Sequence, residues 1–319
     1  MQELLRNRQA GEIGVSVVIV NWNTKELLKN CLNSVYQTIH DLNFEIIVVD
    51  NASSDGSLEM LQQNFPEVIR IGNQENRGFG AANNQAFAVM QGKYALLLNT
   101  DALLTPDAVK RLWTFCEANS DAAIVCGQLL NADGSKQNSI ASFPSLLTLA
   151  ANTSLLEYLF PRKFPSKRYD HAGPVEVDSA IGACMMIRKK AMDEVGVFDE
   201  RYFFFFEETD LAYTMHQSGW KTYHIPDVYI YHLQGQSIGA NVRSRIEFYR
   251  SRYKFFSKWH SRSYYLAARA LIFGRLLINW LFSVAAVIFT LGLNKKLRHK
   301  FFVYSQLIVW HFMGDKRHN

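Results

Sequence analysis

The sequence predicts an α/β fold built on a mostly parallel sheet with helices on both faces. Strand-length runs that are apolar at nearly every position alternate with helical patterns from residue 15 to residue 102. Strands of that kind are buried on both faces, as in sheets whose crossovers are helices. Polar residues collect where those runs end: Asn21 and Asn23 after the first, Asp50 after the second, Asn99 and Asp101 after the fourth. Ligands of such sheets bind beyond the carboxyl ends of the strands. A lone Asn or Asp there is ordinarily a turn or a helix cap, but several at equivalent positions point to a site.

The elements follow in order. VSVVIV (15–20) is a β-branched run closed by Asn21-Trp22-Asn23-Thr24, and Leu27, Leu28, Cys31, Leu32 and Val35 follow at helical spacing. FEIIVVD (44–50) is a second strand, NASSDGS its loop and SLEMLQQNF the next helix. VIRIGN (68–73) is a third strand, 78–92 a third helix and YALLLNTDA (94–102) a fourth strand. Beyond Pro106 a helix over 106–118 and a strand over 122–130 precede a less regular stretch, 142–165, and a motif-dense segment, 177–220. No linker rich in Gly, Pro or Ser separates 1–130 from 177–235, so 1–240 is expected to form one globular unit and 241–319 a helical tail.

Charge divides the chain in the same place. Lys and Arg against Asp and Glu number 19 and 27 in residues 1–242 and 15 and 2 in residues 243–319, so the net +5 is −8 in the body and +13 in the tail. A basic, aromatic tail suits nucleic acid or anionic lipid, and the apolar residues between its charges favour lipid over nucleic acid. The four cysteines are scattered without CxxC or Cys/His spacing, which argues against a zinc site or a disulfide framework and for a reducing compartment. The first fourteen residues hold no apolar stretch of signal-peptide length, so the N-terminal region is expected in the cytosol.

Two clusters carry chemistry. Asp101 follows a buried strand where a diphosphate and a divalent cation could meet, and Mg2+ or Mn2+ prefers one or two carboxylates plus phosphate oxygens to a full protein cage. Asn99 takes the first position of what would otherwise be a DxD and offers only an amide oxygen; the alternative for this segment is an Asx-turn capping the helix near Pro106. The second cluster is FFFFEETDL (203–211), in which Glu207, Glu208 and Asp210 follow four phenylalanines. Mutual repulsion and an aromatic wall raise the pKa of whichever carboxyl is buried, which is how a general base is made. The alternative is an acidic helix N-terminus stabilised by the dipole. His232, after the strand-like VYIYH, is a third metal ligand, a phosphate donor or a satisfied polar residue. Gly78-Phe79-Gly80 is not a dinucleotide fingerprint, because position 83 is Asn, and no GxxxxGK[ST] phosphate loop occurs.

VSVVIVNWNTKELLKNCLNSV, IIVVDNASSDGS, NRGFGAANNQAF, YALLLNTDALL, the long segment from GACMMIRKK to HQSGW, and VYIYHLQGQS together, in that order, resemble family 2 glycosyltransferases of the GT-A fold, a Rossmann-like sheet. The likeness is nearest to the bacterial rhamnosyltransferase branch and spans residues 15–237. It implies that Val20, Asn21, Asn23 and Asp50 line the nucleotide pocket and that Asn76, Gly78, Asn83 and Asn84 border the nucleotide-sugar. Asn99 and Thr100 would flank the donor, Asp101 and His232 would hold Mg2+ or Mn2+, and Glu208 would be the base, in place of the family's usual Asp. Glu207 and Asp210 are the other catalytic candidates. The implied reaction is an inverting transfer, with dTDP-rhamnose as donor, to a lipid-linked glycan in cell-surface polysaccharide synthesis. UDP- or GDP-sugar donors and an inactive glycan-assembly scaffold are the alternatives. A nucleotidyltransferase would need a Gly-rich loop with Arg and Lys after the first strand, which NWNTKELLKN lacks.

The tail contains no charge over 276–293, the short edge of a spanning length, and carries Arg269 and Arg275 before it and Lys295, Lys296, Arg298 and Lys300 after it. Basic residues on both flanks fit one crossing poorly. The expectation is therefore a peripheral or monotopic attachment, with helices in the interface or a shallow hairpin at the cytoplasmic face of the bacterial inner membrane, touching anionic lipid. Packing against the catalytic unit, or a homodimer through the tail, is the alternative.

Overall fold

The computed structural model describes residues 12–161, 163–166, 171–233 and 242–313. The expectation for the first eleven residues, residues 234–237 of the last quoted motif and the boundary at 240/241 lie outside the described residues. Contacts divide the chain into two compact units: the described residues of 1–143 and 160–237, and those of 144–159 and 238–319.

The first unit holds the sheet. β1 (Val15–Asn21), β2 (Phe44–Asp50), β3 (Ile69–Gly72) and β4 (Tyr94–Leu98) pair in parallel in the order β3-β2-β1-β4. The crossovers are helices α1 (Lys25–Thr38), α2 (Ser57–Asn64) and α3 (Phe79–Phe87). Every residue of β2 and β4 except Glu45 is buried, because alternate side chains enter different layers. Val15, Val17 and Ile19 pack with Leu28, Leu32, Leu61 and Leu112 on one side, and Val18, Ile47 and Leu97 with Ala82, Phe87, Met192 and Leu211 on the other. Each such side chain removed from water contributes about 1.5–3 kcal/mol.

Beyond β4 the sheet becomes mixed. β10 (Cys184–Arg188) runs antiparallel between β4 and β6 (Ala122–Leu130), after which β11 (Lys221–His232) is parallel to β6. β5 (Ala102–Leu104) and β8 (Val175–Val177) pair antiparallel with β11, and β7 (Ile140–Ala141) pairs with β9 (Ser179–Ala180) in a separate ribbon. Two antiparallel steps restore direction, so β1, β2, β4, β6 and β11 all end at one edge. The fourth strand is shorter than its apolar pattern, since 99–101 leave the ladder, and the third helix stops at Phe87 instead of 92.

α4 (Ala108–Ala118), α7 (Lys189–Val195) and α8 (Glu207–Gln217) complete the layers. α4 is tied to the sheet by one cation. Arg188, 8 % exposed, donates through Nε to Ala122 O (2.8 Å), through Nη1 to Tyr94 Oη (3.0 Å) and through Nη2 to Cys116 O and Asn119 O (2.6 and 2.8 Å). It meets the carbonyl end of α4, where a positive charge is favoured.

The second unit is helical: α5 (Leu146–Ala150), α6 (Thr153–Leu159), α9 (Val242–Trp259), α10 (Arg262–Phe289) and α11 (Lys295–Met313). Residues 144–159, placed with the body by sequence, group here because Leu146 N donates to Tyr264 Oη (3.0 Å) and Arg275 Nη1 to Leu149 O (2.9 Å). α10 and α11 form an antiparallel hairpin: Trp280 Nε1 donates to Ser305 Oγ (2.9 Å), and the Phe273 ring stacks on His311 at 4.9 Å. Leu291 (φ 48°) and Gly292 (φ 70°) make the turn. Among the described residues α10 alone is long and apolar enough to cross a membrane, by length and composition.

Replacing Arg188 with Met leaves four acceptors facing an apolar side chain. Arg188→Met is expected to lower stability by about 3 kcal/mol, read as a fall in urea midpoint at unchanged slope. A loss under about 1 kcal/mol would mean that water substitutes for the guanidinium.

Candidate active site

The last rung of the β1–β2 ladder pairs Asn21 with Asp50, both fully buried. Asn21 Nδ2 donates to Asp50 Oδ2 (2.7 Å) and to Ser53 Oγ (3.0 Å), while Asp50 Oδ1 accepts from Ser53 N (2.8 Å). Thr24 Oγ1 donates to Asn21 Oδ1 (2.7 Å) and lies 2.9 Å from Thr100 Oγ1, which joins the β1 and β4 ends. Asn23, at φ 54°, accepts from Ser54 N (2.8 Å), an αL position that Asn tolerates. Half-buried Val20 stands beside this network at the β1 end. Asn51, next to Asp50, donates to Asn76 Oδ1 (3.2 Å) and to Gly78 O (3.1 Å) and so draws the 73–78 loop to the strand ends.

Gly78 has to be glycine. Its φ is +85°, and a Cβ there would stand 2.4 Å from Phe203 O. That approach lets Phe79 N, at the start of α3, donate to Phe203 O at 2.9 Å. Asn84 exchanges hydrogen bonds with Phe198 O (2.8 Å) and Phe198 N (3.1 Å), and Asn83 Nδ2 turns back to Phe79 O (2.9 Å). Both amides are therefore engaged within the protein, and that of Asn84 holds the 198–206 loop against α3.

That loop ends under strain. Phe205 and Phe206 are consecutive non-glycine residues at φ 69° and 73°, immediately before α8. Such backbone costs about 1–3 kcal/mol per residue and concentrates at functional sites. Here it aims the first turn of α8. Asp210, 2 % exposed, accepts from Tyr202 Oη at 3.1 Å and pins the loop to the helix. Burial, then Asp210, push the Tyr202 hydroxyl well above its usual range, so it remains a donor. Glu207, 3 % exposed, packs its Cβ where a Cβ on Gly80 would be 3.6 Å away. Glu208 accepts from its own N–H and that of Thr209, yet its Oε2 is sealed from solvent without a hydrogen-bond partner. Burial pushes its carboxyl up to about 7, against the two amides that lower it.

At the β4 end, Asn99 N donates to Ala183 O (2.9 Å) and Asp101, 1 % exposed, faces His232, whose Nε2 is 3.3 Å from Asp101 Oδ1. Gln137 orients the ring. Its Nε2 donates to Asn131 Oδ1 (2.7 Å) and to His232 O, so its Oε1 accepts from His232 Nδ1 at 2.9 Å. Nε2 is thereby turned to the Asp101 carboxylate, where a ring proton or a shared cation can bridge the two. Cis ligands with bonds of about 2.1 Å lie about 3 Å apart, so the spacing fits Mg2+ or Mn2+, and the carbonyl-oriented imidazole is the usual outer support of a metal-bound His. Among the described residues no group of three His, Cys, Asp or Glu could enclose a metal, so phosphate oxygens would fill the remaining positions. Ala183, Gly182 and Phe79 link this corner to the α8 start: a Cβ on Gly182 would be 3.7 Å from the Phe79 ring, which lies edge-on to Phe204 at 6.2 Å.

Gln137, Tyr202 and Asn51 take part in this site without having been singled out from sequence. Asn51 adjoins Asp50 and was within reach. Gln137 and Tyr202 act through partners whose pairing the sequence does not display.

Polar groups gathered at the ends of parallel strands suit binding of a nucleoside diphosphate, and the fold is that of the GT-A glycosyltransferases. The pattern of glycosyl transferase family 2 matches residues 16–196, and the chain belongs to that family and is a glycosyltransferase. Among curated proteins it is 27 % identical over 232 residues to an N-acetylglucosaminyl-diphospho-decaprenol L-rhamnosyltransferase of Mycobacterium tuberculosis, covering 68 % of this chain and 75 % of that one. It is 26 % identical over 203 residues to a low-salt glycan biosynthesis hexosyltransferase of Haloferax volcanii, covering 62 % and 60 %. Among solved structures, a mannosyltransferase from Pyrobaculum calidifontis in complex with GDP-Man and Mn2+ shares the fold at TM-score 0.57 and 16 % identity, over 97 % of this chain and 89 % of that one.

The raised carboxyl has a cost that can be measured. The folded chain keeps the Glu208 proton up to about pH 7, while the unfolded chain releases it near 4.5. The unfolded state thus binds fewer protons within that window, and stability falls as pH rises through it. Glu208→Gln is expected to be more stable than the parent above pH 7 by about 3 kcal/mol, with no difference below the unfolded value. Urea unfolding at pH 4 and pH 8 tests this, and equal gaps at both would place the group in a solvated setting.

Proposed function

We propose that the protein is an inverting transferase that moves rhamnose from dTDP-rhamnose to a lipid-linked glycan acceptor, in cell-surface polysaccharide synthesis at the cytoplasmic face of the inner membrane. The observation that carries the chemistry is Glu208, in the first turn of α8, whose Oε2 is sealed from solvent and whose carboxyl burial pushes up to about 7. In this reading 1–240 is catalytic and 241–319 attaches it to the membrane.

Asn21, Asn23, Val20 and Asp50 would receive the nucleoside, and Asn76, Gly78, Asn99 and Thr100 would border the diphosphate and sugar. Asp101 and His232 would hold Mg2+ or Mn2+, which offsets the charge developing on the leaving diphosphate. The acceptor hydroxyl oxygen bonds to the anomeric carbon on the face opposite the leaving group. The bond from that carbon to the diphosphate breaks, and the hydroxyl proton passes to Glu208. One displacement inverts configuration. Asp210 acts through Tyr202 as a positioning residue, Asn84 positions α3 against the 198–206 loop, and Asn83 is bonded within α3. Glu207 shares the first turn of α8 with the base.

Rhamnose and the lipid-linked acceptor are supported by the resemblance to the rhamnosyltransferase branch and by what the mycobacterial relative is named for. Membrane attachment is supported by α10, where Leu277, Ile278, Leu281, Phe282, Ile288 and Phe289 are exposed along one side while Ala268, Ile272, Leu276 and Ser283 are buried on the other. A helix in water would carry polar residues on its outer face. Lys295, Lys296, Arg298 and Lys300 lie in the first turns of α11, beside the exposed tip residues Leu291 and Leu293. They hold the tip at headgroup depth, so the hairpin lies in the interface plane.

A panel of nucleotide-sugars, with and without Mg2+ or Mn2+ and with a polyprenyl-diphosphate-linked sugar as acceptor, tests the assignment. Metal-dependent transfer from dTDP-rhamnose is expected. Turnover confined to UDP- or GDP-sugars would overturn the donor, and silence throughout would favour a scaffold. Glu208→Gln is expected to lower kcat by about 10²–10⁴ while donor affinity is kept. The parent rate should fall about tenfold per pH unit below 7, because the base must be ionised, whereas a flat profile between pH 5 and 8 would move the role to another group.

A further inference from the structure

The four phenylalanines before α8 have different surroundings. Phe206 is 7 % exposed, and Phe204 meets Phe205 edge-on at 4.4 Å and Phe79 at 6.2 Å. Phe203 is 44 % exposed, and among the described residues its ring is paired with no other aromatic ring. A single exposed phenylalanine is ordinary on a protein surface, but this one is held by its main chain. Its carbonyl accepts from Phe79 N at 2.9 Å, and a Cβ on Gly78 would stand 3.0 Å from both its Cα and its Cδ2. The ring is therefore presented from a fixed backbone, and little remains to be ordered when a ligand covers it.

The same turn of α3 reaches the proposed base. A Cβ on Gly80, two residues after Gly78, would meet Glu207 Cβ at 3.6 Å. Phe203 and the first turn of α8 are thus seated side by side on the start of α3, and the exposed ring stands beside the turn that carries Glu208. In a single displacement the group that comes to the base is the acceptor, whereas the leaving diphosphate belongs with the cation position of Asp101 and His232 at the β4 end. The face of an aromatic ring is the negative part of its quadrupole and attracts C–H edges laid over it. A pyranose with equatorial substituents offers such a face of axial C–H bonds and keeps its hydroxyls in the ring plane, free to turn to a base.

We propose that Phe203 is the platform on which the acceptor sugar lies, with the attacking hydroxyl turned to Glu208. The proposal rests on the transfer chemistry assigned above to Glu208 and adds to it a binding residue and an acceptor class, a pyranose of the gluco type. The open side of the ring faces solvent, from which an acceptor arrives after the donor is seated.

Transfer from dTDP-rhamnose to polyprenyl-diphosphate-linked N-acetylglucosamine supplies the kinetic test. Phe203→Ala is expected to raise the acceptor KM about tenfold, the loss when one sugar face no longer covers apolar area. Binding of dTDP by the same variant shows that the chain is folded. Phe203→Tyr, which keeps the aromatic face, should restore the acceptor KM, and Phe203→Leu, apolar without that face, should not. An unchanged acceptor KM in Phe203→Ala, or recovery by leucine as complete as by tyrosine, overturns the platform. A rise in the donor KM alone overturns it in favour of a donor contact. A second measurement needs no turnover. In a chain labelled with para-fluorophenylalanine, the fluorine resonance missing from Phe203→Leu is that of Phe203. Octyl N-acetylglucosaminide should shift it, and silence towards that sugar, or a response to dTDP alone, overturns the platform. If the parent transfers nothing while the Phe203 resonance responds to the sugar, the proposed function fails and the platform stands.

Discussion

The parallel register of β1, β2 and β4 is the constraint on which the active site depends. The ladder that sets Val15 opposite Phe44 also sets Asn21 opposite Asp50, and the same strand pairs with β4 from Val15 to Val18. A slip of one residue would send Val15, Val17 and Ile19 into the layer built for Val18 and remove the match on both faces. Hydrophobic burial along the whole strand therefore fixes the position of polar groups at its end. Those groups meet because the sheet interior has no place for them, and at the edge they satisfy one another through Thr24, Ser53 and Thr100.

A rigid edge alone does not place a base. α8 begins at Glu207 after two αL phenylalanines, and the Tyr202–Asp210 bond ties that entry to the helix. Compensation comes from the neighbouring α3: the Gly78 approach to Phe203, the Phe79 amide on the same carbonyl, and the Asn84 clamp on Phe198. Stability supplied by one helix holds another in a strained entry, and the strained entry seals Glu208 Oε2 from water. The residues that make the site costly and those that make it reactive are thus neighbours in sequence, 203–208, for a physical reason.

What was legible from sequence follows the range of the interactions involved. The four parallel strands, the polar strand ends and the acidic cluster after the phenylalanines are local patterns, and a continuous apolar run followed by Asn or Asp carries them. The antiparallel entry of β10 between β4 and β6 was not legible, since CMMIR is as apolar as its parallel neighbours and periodicity has no sign for direction. Gln137 escaped because its role is to orient His232, 95 residues away. The Tyr202–Asp210 bond escaped for a different reason: an acidic residue in the first turn of a helix already has a local explanation, the dipole. α10 begins well before the uncharged 276–293 stretch, because Arg275 reaches Leu149 O and Arg269 reaches His311 O. Charges with a backbone partner do not interrupt a helix, although they interrupt its hydropathy.

In the proposed reading, the charge asymmetry of the chain follows from two tasks. A body of net −8 carries carboxylates that must stay acidic enough to ligate a cation or be buried enough to take a proton, and a tail of net +13 carries cations. Had the basic residues been spread through the body, a lysine near Glu208 would favour its ionised form and lower its pKa towards 4.5, away from the value at which a base both accepts a proton readily and remains available at neutral pH. Had the carboxylates been spread through the tail, they would have neutralised the cations that an anionic surface attracts. Keeping the two charge populations on separate segments leaves burial, against two backbone amides, as the main influence on the Glu208 carboxyl.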